Sequence, residues 1–212
     1  LVGGGAPIAV QSMTNTDTRD AAATLRQIGA LADAGCDIVR LAVNDAPAAA
    51  AVRAVKDAVT APLVADIHFD YRLALEAIRQ GISALRLNPG NIGGEENVKA
   101  VVKAAKERNM GVLCMKAFIE RKWDSEDERA ASKFPKSWCK PIDVEDVEFG
   151  KAAMKYALNL GVDTLIPPGN YASFSFAVDH IDECLANPLT EADRKFLEAK
   201  LELVRGKEFF QP

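Results

Sequence analysis

The sequence has no C-x-x-C pair, no run of basic residues, and no apolar stretch near the roughly 18 residues that suggest a membrane span. Its four cysteines, Cys36, Cys114, Cys139 and Cys184, are scattered. Neither a zinc site nor a dithiol motif is therefore written locally, and buried thiols are expected. Lys and Arg together number 26 against 30 Asp and Glu, a net charge of -4. That balance excludes a general nucleic-acid or anionic-membrane binder, so any anion site must be local. The opening Leu1-Val-Gly-Gly-Gly5 lacks the basic start and apolar middle of a signal peptide, and a cytoplasmic location is expected.

At 212 residues, with 49% hydrophobic and 26% charged residues, the composition is that of an ordinary globular protein able to bury a substantial core. Strand-like and helical stretches alternate. Ile8–Met13 reads as a strand, Asp20–Ala34 as a helix stopped by Gly35, Asp37–Val43 as a second strand and Ala46–Val59 as a second helix. Leu63–Phe69, Tyr71–Gln80, Ala84–Asn88 and Glu95–Arg108 continue the alternation, and Gly111–Phe118 is a fifth strand. Residues 119–148 are polar, aromatic and loop-like, without clear periodicity. Trp123, Phe134, Trp138 and Phe149 within and beside them are expected to form a satellite core rather than a ligand cage. A helix over Val147–Leu160, a sixth strand over Asp163–Ile166, a helix over Phe174–Leu185 and a last helix capped by Thr190 complete the chain.

Successive β-then-α units imply a parallel sheet with right-handed crossovers. The fold class expected is α/β, a TIM-barrel-like (β/α) parallel barrel with about six units where a full barrel has eight, with a doubly wound sheet as the alternative. One domain over 1–212 is expected, built from 1–109 and 110–212. An open six-stranded sheet would leave unpaired edges, for which a homodimer is one remedy.

The stretch from Pro62 to Asn91 carries the strongest chemical signal. Charged or polar side chains stand at the C-terminal ends of otherwise apolar strands, an expensive placement unless that end opens onto a ligand. The period-2 pleat puts Asp66 with His68 on one face and Arg86 with Asn88 on one face. With Arg40, and Lys116 at the end of the fifth strand, these residues make a candidate pocket for phosphate or diphosphate. His68 would add a hydrogen bond or a proton, and Asp66 would orient it. Backbone N–H groups of Gly90, Ile92 and Gly93 would add donors. The plainer alternatives are an Arg40–Asp66 salt bridge, a hydrogen-bonded core His68 and a solvated Lys116. His180, on a late helix, is expected at the surface.

Residues from about Leu1 to Arg108 resemble the barrel of the 4-hydroxy-3-methylbut-2-enyl diphosphate synthase family, flavodoxin- or ferredoxin-dependent enzymes of isoprenoid precursor synthesis. The resemblance lies in Ala6-Pro-Ile-Ala-Val-Gln-Ser-Met-Thr-Asn-Thr16, Gly35-Cys-Asp-Ile-Val-Arg40, Val64-Ala-Asp-Ile-His-Phe-Asp70 and Leu85-Arg-Leu-Asn-Pro-Gly-Asn-Ile-Gly93. It implies a barrel gripping a cyclic diphosphate through Arg40, Asp66, His68, Arg86 and Asn88. The family's chemistry also needs a four-iron four-sulfur cluster held by three Cys and a Glu in a further domain. No cofactor is expected on this chain itself.

Residues from about Met110 to Pro212 resemble the C-terminal end of an aldo/keto reductase. The matching stretches are Gly111–Phe118, Tyr156–Gly169 and Pro188-Leu-Thr-Glu191. This second resemblance implies a remnant of an NADP phosphate site around Pro168, Gly169 and Asn170, without the reductase's catalytic set. The two resemblances meet inside Ala104–Gly111, the pattern expected of a recombination between two barrels, with neither parent's catalytic apparatus complete.

Overall fold

The computed structural model describes residues 5–88, 91–115 and 117–207, and the chain divides into two compact units, Leu1–Met110 and Gly111–Gln211. The first unit repeats one motif. Strands β1 (Gln11–Met13), β2 (Ile38–Ala42), β3 (Leu63–Ile67) and β4 (Ala84–Leu87) alternate with helices α1 (Ala21–Asp33), α2 (Ala46–Asp57), α3 (Tyr71–Arg79) and α4 (Glu95–Glu107). The strands pair in the order β1-β2-β3-β4, all parallel.

Local chemistry explains the punctuation. Asp20, Asp45 and Asp70 cap α1, α2 and α3 by accepting the N–H of Ala23, Ala48 and Arg72, satisfying donors that a helix leaves unpaired. Gly35 and Gly81 follow α1 and α3 with φ near +89° and +86°, a left-handed turn that a side chain disfavours. The pleat sorts the strands into two faces. Val39, Leu41, Val43, Leu63, Ala65 and Ile67 are fully buried, as are Val52, Val55 and Ala49 of α2 and Ala74 and Ala77 of α3. Each buried Val, Leu or Ile contributes about 1.5–3 kcal/mol relative to exposure. The opposite face carries Arg40, Val64, Asp66, Ala84 and Arg86, with Asp66 and Arg86 past the middle of their strands and Arg40 at the middle of β2.

Strand starts are fastened by side chains. The Val10 N–H donates to Asp37 Oδ2 at 2.8 Å, and the Leu63 N–H donates to Ser83 Oγ at 3.4 Å. The loop after β1 is fastened at the other end, where Thr14 N–H donates to the Arg40 carbonyl and the Thr18 hydroxyl to the Ala42 carbonyl.

The second unit holds β5 (Leu113–Met115) parallel to β8 (Thr164–Ile166), with α6 (Val147–Asn159) between them in sequence, followed by α7 (Tyr171–Ala186) and α8 (Glu191–Leu203). The fastening recurs: Val112 N–H donates to Asp163 Oδ2 at 2.7 Å. Its core is Phe118, Met154, Phe176 and Cys184, flanked by Val144, Leu158, Leu165 and Ile181. Phe118 and Phe176 meet edge to face at 5.8 Å. Thr190 caps α8 in a reciprocal box with Asp193.

Residues 119–148, read from sequence as loop, contain an antiparallel pair β6 (Ile119–Arg121) and β7 (Lys140–Pro141) and the short helix α5 (Glu126–Ala131). Buried Arg121 organises this segment, donating to Glu128 at 2.6 Å and lying 3.3 Å from Asp124. Trp138 is 55% exposed and so stands outside the expected satellite core, while Trp123, Phe134 and Phe149 are partly buried and line a cavity of about 610 Å³. His180 is partly buried against the Phe176 ring, at 4.4 Å between centroids, instead of lying free at the surface. No helix among the described residues is long and apolar enough to cross a membrane.

Candidate functional site

Neighbouring strands of a parallel sheet lie about 4.8 Å apart, so side chains on one face of β2, β3 and β4 can meet. Register decides which do. Asp66 pairs with Ala42 on one side and Arg86 on the other, whereas Arg40 pairs with Val64, two residues nearer the strand starts. Arg86 therefore reaches sideways and Arg40 reaches up toward the same carboxylate.

Asp66 is the hub. It is 2% exposed, and its two oxygens take different partners: Arg86 Nη1 is 3.1 Å from Oδ1, and Arg40 Nε is 3.3 Å from Oδ2. His68 Nε2 lies 3.9 Å from Oδ2, an ion-pair distance but too long for a hydrogen bond. The sequence expectation that Asp66 orients the imidazole thus meets a different arrangement, because β3 ends at Ile67 and His68 stands just beyond the strand. The Phe69 ring packs beside it at 5.8 Å.

The guanidinium groups stay open to solvent. Arg40, Arg86 and His68 side chains are 32%, 46% and 40% exposed, against 3% for Asp66. With two arginines around one carboxylate, the cluster carries one net positive charge even with His68 neutral. Each guanidinium has five N–H donors, more than Asp66 can use. The arrangement can therefore hold an oxyanion without first being dismantled.

Asn88 follows β4, and its carbonyl accepts the Asn91 N–H at 3.0 Å. Lys116 and Gly90 lie outside the described residues. Met13 was not anticipated: its sulfur receives the Arg40 Nε–H at 3.3 Å, from a position in register with Arg40 on β1. A lone methionine at a strand end gives no sequence signal for such a role. In the second unit, Gly169 and Asn170 line a separate cavity of about 490 Å³ with Pro167, Pro168, Tyr171 and Phe174. Asn170 caps α7 through the Ser173 N–H at 2.8 Å, and its Nδ2 is buried without a hydrogen-bond partner.

A family model described as the GcpE TIM-barrel domain matches residues 1–114. The chain belongs to this family. Its fold is accordingly α/β of the TIM-barrel type, as the succession of parallel βα units in the first unit requires. Over 111 residues the chain is 63% identical to the 4-hydroxy-3-methylbut-2-en-1-yl diphosphate synthase (flavodoxin) of Maridesulfovibrio salexigens, covering 52% of this chain and 31% of that protein. The same enzyme of Pseudoalteromonas translucida is 60% identical, covering 52% and 30%, and that of Clostridium perfringens 59%, covering 52% and 32%. The chain thus spans about a third of the length of these relatives.

Among solved structures, a mandelate oxidase with (S)-2-phenylpropionate gives a TM-score of 0.42 at 17% identity, covering 96% of this chain and 58% of that one. An enolase protein from Sargasso Sea environmental sequencing gives 0.40 at 19%, covering 51% and 29%.

The cysteines offer no cluster set. All four are free thiols, and no group of three or more His, Cys, Asp or Glu placed to hold a metal occurs among the described residues. These residues do not fit an iron–sulfur cluster.

Proposed function

We propose that this chain is the diphosphate-gripping barrel portion of a 4-hydroxy-3-methylbut-2-enyl diphosphate synthase-like protein. The observation that carries the reading is the convergence of Arg40 from β2 and Arg86 from β4 on buried Asp66 of β3, with His68 at the same end of the sheet. The similarity of the first unit to synthases named for a diphosphate product supports it.

In reductive opening of a cyclic diphosphate, a ring carbon–oxygen bond breaks and the departing diphosphate oxygen gains negative charge. Guanidinium groups already in place stabilise that charge without reorganising. Arg40 and Arg86 would bind the phosphoryl oxygens, Asn88 would donate its amide, and His68 would donate a hydrogen bond to the same group. Electron delivery is assigned to no residue of this chain and would come from a cluster held elsewhere. The chain's own share is binding, orientation and charge stabilisation.

The test is a calorimetric titration with inorganic pyrophosphate. Arg86→Ala removes a charge-assisted contact of about 1.5–3 kcal/mol and should weaken binding by about tenfold or more. Identical titrations of the intact protein and the variant would remove the reading.

A second reading concerns residues 110–212 as the C-terminal part of an NADP-dependent aldo/keto reductase-like protein. What favours it is the cavity lined by Gly169 and Asn170, with the unpartnered Asn170 Nδ2. The unit boundary at Met110 and the end of the family match at residue 114 are compatible with a recombined chain. Quenching of NADPH fluorescence that Asn170→Ala abolishes would support it, and its absence in the intact chain would end it.

A further inference from the structure

α7 has two apolar faces where a surface helix needs one. Ser173, Phe176 and Cys184 are buried, with Ala177 and Ile181 packed against the same cluster. Roughly a third of a turn around the helix, at about 100° per residue, runs a second stripe of Tyr171, Phe174, Val178 and Leu185. These four are 83%, 57%, 58% and 60% exposed. The remaining face is polar, with Ser175, Asp179, Asp182 and Glu183. Spacings of three, four and seven residues are those by which one helix packs along another. Single exposed apolar side chains are ordinary, but a stripe about 21 Å long, at about 1.5 Å per residue, calls for a cover.

Charge and shape identify the cover. The acidic residues Asp179, Asp182 and Glu183 lie in the C-terminal half of α7, and no charged side chain occurs from Tyr171 to Val178. A second α7 laid antiparallel sets each acidic half beside an uncharged half and near a positive helix N-terminus, whereas a parallel one sets acid against acid. Asp182 and Ser175 flank the stripe on one side, so the antiparallel pair brings Asp182 beside the partner's Ser175. The N-terminal end of the stripe borders the cavity of about 490 Å³ lined by Ile166, Pro167, Tyr171 and Phe174. The same arrangement carries the partner's Leu185 over that cavity.

We propose that the chain forms a two-fold symmetric dimer in which α7 packs antiparallel on the partner's α7, with the axis near Val178. This surface is distinct from the open strand edges and rests on neither functional reading above. Two copies of the stripe with the cavity rim cover on the order of 1,000 Å² in total, the lower edge for a specific interface. The dimer is accordingly weak, with a Kd of roughly 1–100 μM.

Sedimentation of the full chain from about 5 to 500 μM, a range that brackets this Kd, tests the proposal. The average mass should climb toward twice that of one chain. Val178→Asp and Leu185→Asp each bury a charge in the pair and should raise the Kd by about tenfold or more. Both positions are exposed, circular dichroism checks that the variants are folded, and should one unfold the other decides. Leu113→Asp, at an exposed position of β5, should leave the Kd unchanged. Ser175→Lys should tighten the dimer by about two- to threefold through the partner's Asp182, and Ser175→Glu should loosen it.

A chain that stays monomeric throughout would overturn the proposal and leave the stripe to a different partner. A dimer that survives both aspartate variants of α7, or that Leu113→Asp breaks, is built on another surface and overturns it equally. Looser association in Ser175→Lys than in Ser175→Glu would overturn the antiparallel arrangement.

Discussion

Asp146 does two jobs with one carboxylate. Its Oδ1 accepts the Phe149 N–H at the start of α6, and its Oδ2 receives the Lys200 ammonium at 2.7 Å. That ammonium also lies 4.8 Å from the centre of the Phe149 ring and 5.2 Å from that of Phe196. The Lys200 hydrogen bond, with the Phe149 N–H second, holds the Asp146 carboxyl below its ordinary value of 3.8. A carboxylate depressed on folding stabilises the native state fully above its ordinary value, and that contribution fades as pH falls through the lower folded value. Lys200→Met should therefore destabilise the chain by about 0.5–1.5 kcal/mol at pH 7, the range for a partly exposed ion pair with a cation–π contact. The gap between variant and intact protein should narrow below about pH 4. Urea denaturation at pH 7 and pH 3 measures both, and a gap that widens in acid would contradict the assignment.

Residue-scale chemistry was partly legible in the sequence. Alternation along the strands puts Arg40, Asp66 and Arg86 on the same face of neighbouring strands. Which oxygen takes which arginine depends on the stagger between β2 and β3, and no single-sequence pattern encodes that stagger. Met13 and the buried threonines Thr14, Thr18 and Thr24 were invisible for a similar reason. A polar run after a strand reads as a loop with spare caps, whereas here its hydroxyl and amide groups bond to carbonyls of β2 and of the loop itself.

Elements with strong punctuation were the readable ones. The Thr190 cap, glycine stops and period-3.6 stripes located the long helices to within a few residues, though α7 begins at Tyr171, three residues before the apolar stripe that marked it. Residues 119–148 resisted because strands of three and two residues are too short to show a period. One packing detail overrides local propensity. Gly150 lies within α6, where alanine would ordinarily stabilise by about 0.5–1 kcal/mol. A Cβ at Gly150 would stand 2.5 Å from Phe176 Cζ and 2.6 Å from Cε1, inside the ring that packs α7 against α6. Gly150→Ala should thus destabilise, by about 1–3 kcal/mol, because a close-packed ring has to shift. Thermal unfolding of the variant checks the sign, and a raised midpoint would show that the α6–α7 contact is looser than described.

At the scale of the whole molecule, the thiols give a readout of each unit. Cys36 belongs to the first unit, and Cys114, Cys139 and Cys184 to the second. Cys139 and Cys184 are each 2% exposed, while Cys36 and Cys114 are partly accessible. Burial pushes the Cys114 thiol above its ordinary pKa, which lowers the fraction of reactive thiolate. Labelling of the native chain with a thiol reagent should modify Cys36 first, Cys114 more slowly, and the remaining two only when the second unit opens. Fast native modification of Cys184 would mean that the Phe118–Met154–Phe176 cluster is not closed around it. The parallel βα succession was readable at this scale, and the family match over residues 1–114 bears out its TIM-barrel character. The reductase resemblance has no such support and stands as a proposal.

The side-chain clasps on Val10 and Leu63 sit where strands of the first unit begin, while Asp66 and Arg86 stand toward the opposite rim of the same sheet. Alignment in that sheet is thus fixed from below as well as by the Thr14 and Thr18 bonds above. Loop changes at the rim that spare the Thr14 and Thr18 bonds should leave the strands in step. The same scaffold can accept new chemistry above without being refolded beneath.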